Sequence, residues 1–194
     1  MQENTYAALR SQIVSVVCIL AFLLLALVAQ NKMVEQGMQE EADSEREASA
    51  QQYRAPKGPD VLSKAICNNY DVSCHKARET LRVVLQEADE LNVEPALAVG
   101  LALHESGFRT DARSSTGDHG LLQVNYKWHK DKVRRLTDLY DPKTNVRIGL
   151  TYLKSLMDRK GNVRTALRHY NGANGKTPYP DEVLKKSAWA AQFI

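Results

Sequence analysis

The chain has 194 residues, 43% hydrophobic and 25% charged, with a formal net charge of +3. That balance excludes a disordered polymer and leaves room for one domain plus extensions. From residue 58 onward 21 Lys and Arg stand against 16 Asp and Glu, an excess that suits an anionic partner and serves ordinary solubility nearly as well.

Residues 1–12 form a short N-terminal tail. Ile13 to Ala29, "IVSVVCILAFLLLALVA", runs 17 residues without a charge. A membrane-spanning helix needs about 17–25 apolar residues, so segment 13–30 is expected to be a transmembrane anchor. A cleaved secretory signal is the rival reading, since its apolar core is shorter and ends in small residues. Arg10 precedes the segment and the acids Glu35, Glu40, Glu41, Asp43, Glu45 and Glu47 follow it. Positive residues favour the cytoplasmic side, which puts the rest of the chain outside. Residues 31–58 are polar, without a sustained apolar face, and read as a tether, either a frayed helix or a disordered spacer. Pro56-Lys57-Gly58-Pro59 marks the boundary of a domain over 59–194.

That domain reads as mainly α. Cys67 and Cys74 lie close in "CNNYDVSC", and in an exported domain they are expected to form a disulfide; two buried free thiols are the alternative. Cys18, inside the apolar segment, is expected to stay unpaired. Leu81, Val84, Leu85, Ala88 and Leu91 recur at helical spacing. Pro95 opens a second helix, "PALAVGLALHE", apolar nearly all round and hence central. Asn145 is read as the cap of a third, ended by Gly161. Short helices follow Asn162 and Asp181, and "GLLQVN" is at most a short extended piece. No metal site is expected: "HESGF" lacks the second histidine of a zinc-protease helix, and Cys74-His75 offers too few ligands.

Glu105 ends the apolar helix on the same stripe as Leu97 and Leu101. A carboxylate placed among core-facing residues has its pKa raised by desolvation, and a pKa near neutrality is what a general acid requires. Spacing alone is equally compatible with a helix-end glutamate facing water or paired with Arg109 or Arg113.

The surrounding motifs resemble those of the soluble lytic transglycosylases, relatives of goose-type lysozyme. Glu105-Ser106-Gly107-Phe108 matches the family's first motif. Ala112, Ser114 and Gly117 lead without insertion into Gly120-Leu121-Leu122-Gln123, where the family has Gly-Leu-Met-Gln. Asp141-Pro142, Asn145-Val146, Gly149 and Tyr152-Leu153 match a later motif, and His169-Tyr170-Asn171 stands at the family's Ala-Tyr-Asn. The departures are Leu122 for Met, Arg109-Thr110 for Asn-Pro, His169 for Ala, and Gly172-Ala173-Asn174-Gly175 for Ala-Gly-Pro-Gly. The likeness covers roughly residues 90–175.

The resemblance implies a lysozyme-like fold and cleavage of the β-1,4 bond after N-acetylmuramic acid in peptidoglycan. Glu105 would serve as acid and then base, giving 1,6-anhydromuramyl products with no cofactor. Candidate substrate-binding residues are Ser106, Gln123, Tyr170 and Asn171, with Tyr170 able to hydrogen-bond Glu105. Asp118 and His169 are secondary candidates, and His119 is a possible cleft-edge residue. Tyr152 is assigned to the core. Asp118 keeps open a lysozyme-like hydrolase, since ordinary glycosidases use two carboxylates. A non-catalytic wall-binding scaffold is the alternative of another class. The expected partners are glycan strands, the membrane through the N-terminal helix, and a secretion, conjugation or virion assembly. The expected location is an inner-membrane anchor with a periplasmic domain, or a secreted or virion-associated protein. The basic run Lys127–Arg135 comes with no DNA- or RNA-binding motif, so no nucleic-acid partner is expected.

Overall fold

The computed structural model describes the backbone of residues 2–52, 57–172 and 177–194. It describes side chains at residues 20, 22–46, 57–172 and 177–194. The chain divides into two compact units, Met1–Ala55 and Pro56–Ile194.

The first unit is one helix, α1 (Gln2–Gln52). It runs through both the expected anchor and most of the expected tether, so 31–52 is helical rather than coil. Its apolar stretch is exposed at Leu20, Phe22, Leu23, Leu24, Leu25, Leu27 and Val28. Among the described residues no helix is long and apolar enough to cross a membrane. The side chains of 13–19, Cys18 among them, lie outside the described residues.

The second unit is mainly helical, as its periodicity suggests: α2 (Pro59–Asn69), α3 (Cys74–Glu90), α4 (Pro95–Ser106), α5 (Tyr126–His129), α6 (Pro142–Lys160), α7 (Val163–Tyr170) and α8 (Tyr179–Ala190). A 3₁₀ turn, Leu136–Tyr140, precedes α6. Two short antiparallel strands, β1 (Asp118–His119) and β2 (Val124–Asn125), pair Asp118 with Asn125 and His119 with Val124.

Local chemistry explains the boundaries. Ser73 caps α3 by accepting from the Lys76 N–H. Glu94 caps α4 through both carboxylate oxygens, on Ala96 N (3.0 Å) and Leu97 N (2.5 Å), and Pro95 fills the first turn. Cys67 and Cys74 form the expected disulfide, closing the loop between α2 and α3.

Asn145 is not the cap of α6. That role belongs to Asp141, which accepts from Thr144 N at 2.8 Å just before Pro142. Asn145 lies one turn inside, almost wholly buried, with both ends of its amide hydrogen-bonded. Its Oδ1 accepts from Leu122 N (2.7 Å), and its Nδ2 donates to His119 O and Leu139 O (both 2.8 Å). One side chain thus ties the Gly120–Gln123 turn and the 3₁₀ turn to α6. Similarly, the last helix starts at Tyr179, two residues before Asp181, because Pro180 can occupy a first turn.

The core gathers around α4, where Leu97, Ala98, Val99, Leu101, Ala102 and Leu103 are all buried. α8 lies close against it. A Cβ on Gly100 would stand 2.2 Å from Ser187 Oγ and 2.5 Å from Ser187 N, so only glycine permits this approach. A second tie joins α3 to α6. Glu87, fully buried, is gripped by Arg147 at two points, Nε to Oε2 (2.6 Å) and Nη2 to Oε1 (3.0 Å), while Arg147 also reaches Glu90. The charge pairing offsets part of the cost of burying the carboxylate, while Oε2 itself accepts no hydrogen bond.

Candidate active site

Glu105 stands one residue from the C-terminal end of α4, which closes at left-handed Gly107 with its N–H on Ala102 O. Phe108 follows, also at positive φ and fully buried, and turns the chain sharply into the loop ahead. The carboxyl is mostly shielded. Burial pushes its pKa up to about 7, and the nearby Asp118 charge adds to the rise, against a lowering hydrogen bond from Tyr179.

Tyr179 is the residue that sequence reasoning missed. Its hydroxyl donates to Glu105 Oε1 from the first turn of α8, 74 residues away in the chain. Burial and the Glu105 charge hold its own pKa far above the usual phenol value, so it stays a donor. The role anticipated for Tyr170 falls to it. Tyr170 instead donates to Leu122 O at 2.9 Å and stacks obliquely on Tyr152, so it braces the Gly120–Gln123 turn rather than the acid. The ring of Tyr152, assigned to the core, also lines the cleft.

That turn is sharply constrained. Gly120 has φ +74°, and a Cβ there would meet Leu139 O at 2.2 Å. Gln123, at φ +48°, donates through Nε2 to Gly120 O (2.9 Å) and Ala112 O (3.3 Å). Both of these bonds use the amide nitrogen, so its carbonyl oxygen is the group the side chain offers to the cleft. Gln123 lines both of the cavities that Glu105 borders.

Asp118 sits with Glu105, Gln123, Tyr170 and Asn171 around one cavity of about 240 Å³. Burial alone would raise its pKa. Hydrogen bonds from Thr116 (2.5 Å), Asn125 (2.7 Å) and Ser114 (2.8 Å) outweigh that and hold the carboxyl below its usual range. Asp118 is therefore a carboxylate fixed by three side-chain hydrogen bonds. The two acids are pushed apart, one kept ionised and the other protonated near neutrality.

The remaining candidates separate. Ser106 is buried, and its hydroxyl bonds back to Ala102 O at 3.1 Å, so it serves its own helix. Asn171 ends α7 and, with His169, lines a cavity of about 520 Å³ that also meets Trp128 and Tyr152. His119 is not a cleft-edge residue; it is 2% exposed, with Nδ1 2.9 Å from the Tyr140 hydroxyl. His104 presents its ring edge-on to Tyr179 with centroids 4.8 Å apart. Ala173 to Gly175, where the sequence departs from the family's glycine-proline turn, lie outside the described residues.

The arrangement offers one shielded acid, a phenol directed at it, a nearby carboxylate, and two cavities that the acid borders. Comparison with known proteins agrees. Residues 82–187 match the family model described as "Transglycosylase SLT domain", more than half of the chain. A protein of Enterobacteria phage PRD1 called "Transglycosylase" is 31% identical over 103 residues, covering 50% of this chain and 38% of that protein. The matched segment takes in α4, the Gly120–Gln123 turn, Asn145 and Tyr179 together, and the chain belongs to the transglycosylase SLT domain family.

Proposed function

We propose that this chain is a peptidoglycan lytic transglycosylase that cleaves the β-1,4 bond between N-acetylmuramic acid and N-acetylglucosamine. The observation that carries the reading is Glu105, a shielded carboxyl with its pKa raised to about 7 and held by Tyr179 between two open cavities. Near neutral pH it holds a proton to give. Glu105 protonates the glycosidic oxygen as the bond to the muramyl C1 breaks. Its carboxylate then takes the proton of the muramyl C6 hydroxyl as that oxygen closes on C1. The acid ends reprotonated, no water is consumed, and the product carries a 1,6-anhydro ring. Tyr179 positions the carboxyl; Gln123 and Asn171 contact sugar.

A second reading is hydrolysis of the same bond. Asp118 favours it, being an ionised carboxylate on the same cavity as Glu105, since paired carboxylates with opposed pKa shifts serve glycosidases. Similarity to a phage protein supports a secreted or virion-associated setting. The inner-membrane alternative rests on the apolar stretch Ile13–Ala29 alone.

Mass spectrometry of digested sacculi separates the readings. Products one water lighter than lysozyme products, lost in Glu105→Gln, are expected. Hydrated reducing ends would transfer the reaction to the Asp118 route. Intact glycan that still binds the protein would leave a wall-binding scaffold.

A further inference from the structure

α8 reaches the acid through Tyr179, in its first turn. That turn starts without a side-chain cap. The tight contact of α8 with α4, at Gly100 and Ser187, lies eight residues farther on, about 12 Å along the helix. Side chains of two neighbouring helices hold the turn instead. Asp181 pairs with Arg164 of α7. On the α4 side stands His104, its side chain only 20% exposed. Its ring is perpendicular to the Tyr179 ring, with centroids 4.8 Å apart, and its Nε2 lies 3.7 Å from Glu182 Oε2. Tyr179 and Glu182 are three residues apart, so both partners of His104 lie on one face of α8.

The route from His104 to the acid runs through the phenol. His104 and Glu105 are neighbours in the chain but point about 100° apart on the helix. Glu105 responds to burial, to Tyr179 and to Asp118, whereas His104 responds to burial, to Glu182 and to Lys186. Tyr179 is the group that both of them touch. Burial holds the imidazole below its ordinary pKa, with Glu182 opposing the shift and Lys186 adding to it. Near neutral pH the ring is therefore uncharged and packs as an aromatic. Tyr70 and Asp71 from the loop after α2, and Arg109 and Arg113 beyond α4, border the cavity that His104 shares with Glu105. We propose that His104 is a positioning residue for Glu105: packed on the Tyr179 ring, it seats the first turn of α8 so that the phenol meets the acid. The rate effects rest on the transglycosylase reading; the seat itself does not.

The test compares pH–rate profiles of the full chain, wild type, His104→Ala and His104→Phe, on soluble uncrosslinked glycan strands. A perpendicular ring pair is worth about a two- to tenfold change in an equilibrium. The Tyr179 hydrogen bond lowers the Glu105 pKa, so loosening it in His104→Ala should move the alkaline limb up by about half to one pH unit. kcat should fall about two- to tenfold with KM unchanged. His104→Phe keeps a ring on Tyr179 and should restore the wild-type limb. In the Tyr179→Phe background His104→Ala should move the limb no further, since the two act through one contact. His104→Gln, which also lacks the ring, takes the place of His104→Ala if that variant does not fold. An unmoved limb overturns the proposal, as does a rise in KM alone, a limb that His104→Phe does not restore, or an additive shift in the double variant. If the wild-type chain cleaves nothing, the transglycosylase reading fails. NMR titration of the Glu105 carboxyl then decides the seat separately: a pKa that rises in His104→Ala supports it, and one that does not move overturns it.

Discussion

Replacing the acid by its neutral isostere, Glu105→Gln, is expected to abolish cleavage and yet strengthen the fold at alkaline pH. In the unfolded chain the carboxyl releases its proton near its ordinary value of 4.5, whereas in the folded protein it holds it to about 7. Between those values the native state binds more protons than the unfolded state, so stability falls as pH rises through the window. Below pH 4.5 the term is fully present; above pH 7 it is gone. At about 1.4 kcal/mol per pH unit over the 2.5 units between 4.5 and about 7, the ionised carboxylate then costs the fold about 3.5 kcal/mol at most. Glutamine never ionises and keeps an oxygen for the Tyr179 hydroxyl. Thermal unfolding followed by circular dichroism should therefore give nearly equal Tm values at pH 4.5, and a variant Tm higher by up to roughly 7–14 °C at pH 8.5. A difference that is the same at both pH values would refute a buried, proton-holding Glu105. The wild-type rate should fall about tenfold per pH unit above pH 7, as the required proton is lost.

Tyr179→Phe removes a hydrogen bond that lowers the Glu105 pKa, so the alkaline limb of the rate profile should move to higher pH while the maximal rate drops about tenfold; an unmoved limb would detach Tyr179 from the acid. Arg147→Ala leaves Glu87 buried without its cation and should cost about 3–5 kcal/mol in urea unfolding. Gly100→Ala places a methyl group against the backbone of Ser187 and should cost about 1–3 kcal/mol or more, with activity falling as α8 is displaced.

Local rules of the chain account for most of the architecture. Pro95 and Gly161 mark helix ends by their backbone preferences and Asn162 by its side-chain oxygen, and the structure has those ends. Glu105 was legible because its stripe is shared with Leu97 and Leu101. The errors are long-range. Asp141-Pro142 was a sufficient signal for the start of α6, and it frees Asn145 for three bonds to elements that no local pattern names. Glu87 falls on the buried side of α3 with Thr80, Val84 and Ala88, a position readable from helical spacing, but its partner Arg147 lies 60 residues away. Tyr179 offers only a tyrosine before a proline at a helix start, outside the stretch of roughly 90–175 that carries the recognisable motifs. Tyr170 stands in a recognisable motif, but its hydroxyl is committed to Leu122 O.

The close approach of α4 and α8 at Gly100 and Ser187 reaches beyond packing. Glu105 lies five residues along one helix from that contact, and Tyr179 eight residues back along the other. A slide of one helix against the other, set by buried residues at that contact, therefore alters how strongly the phenol engages the acid. Working pH becomes an interior property, adjustable by redesign of a helix seam while the sugar-facing surface is left unchanged.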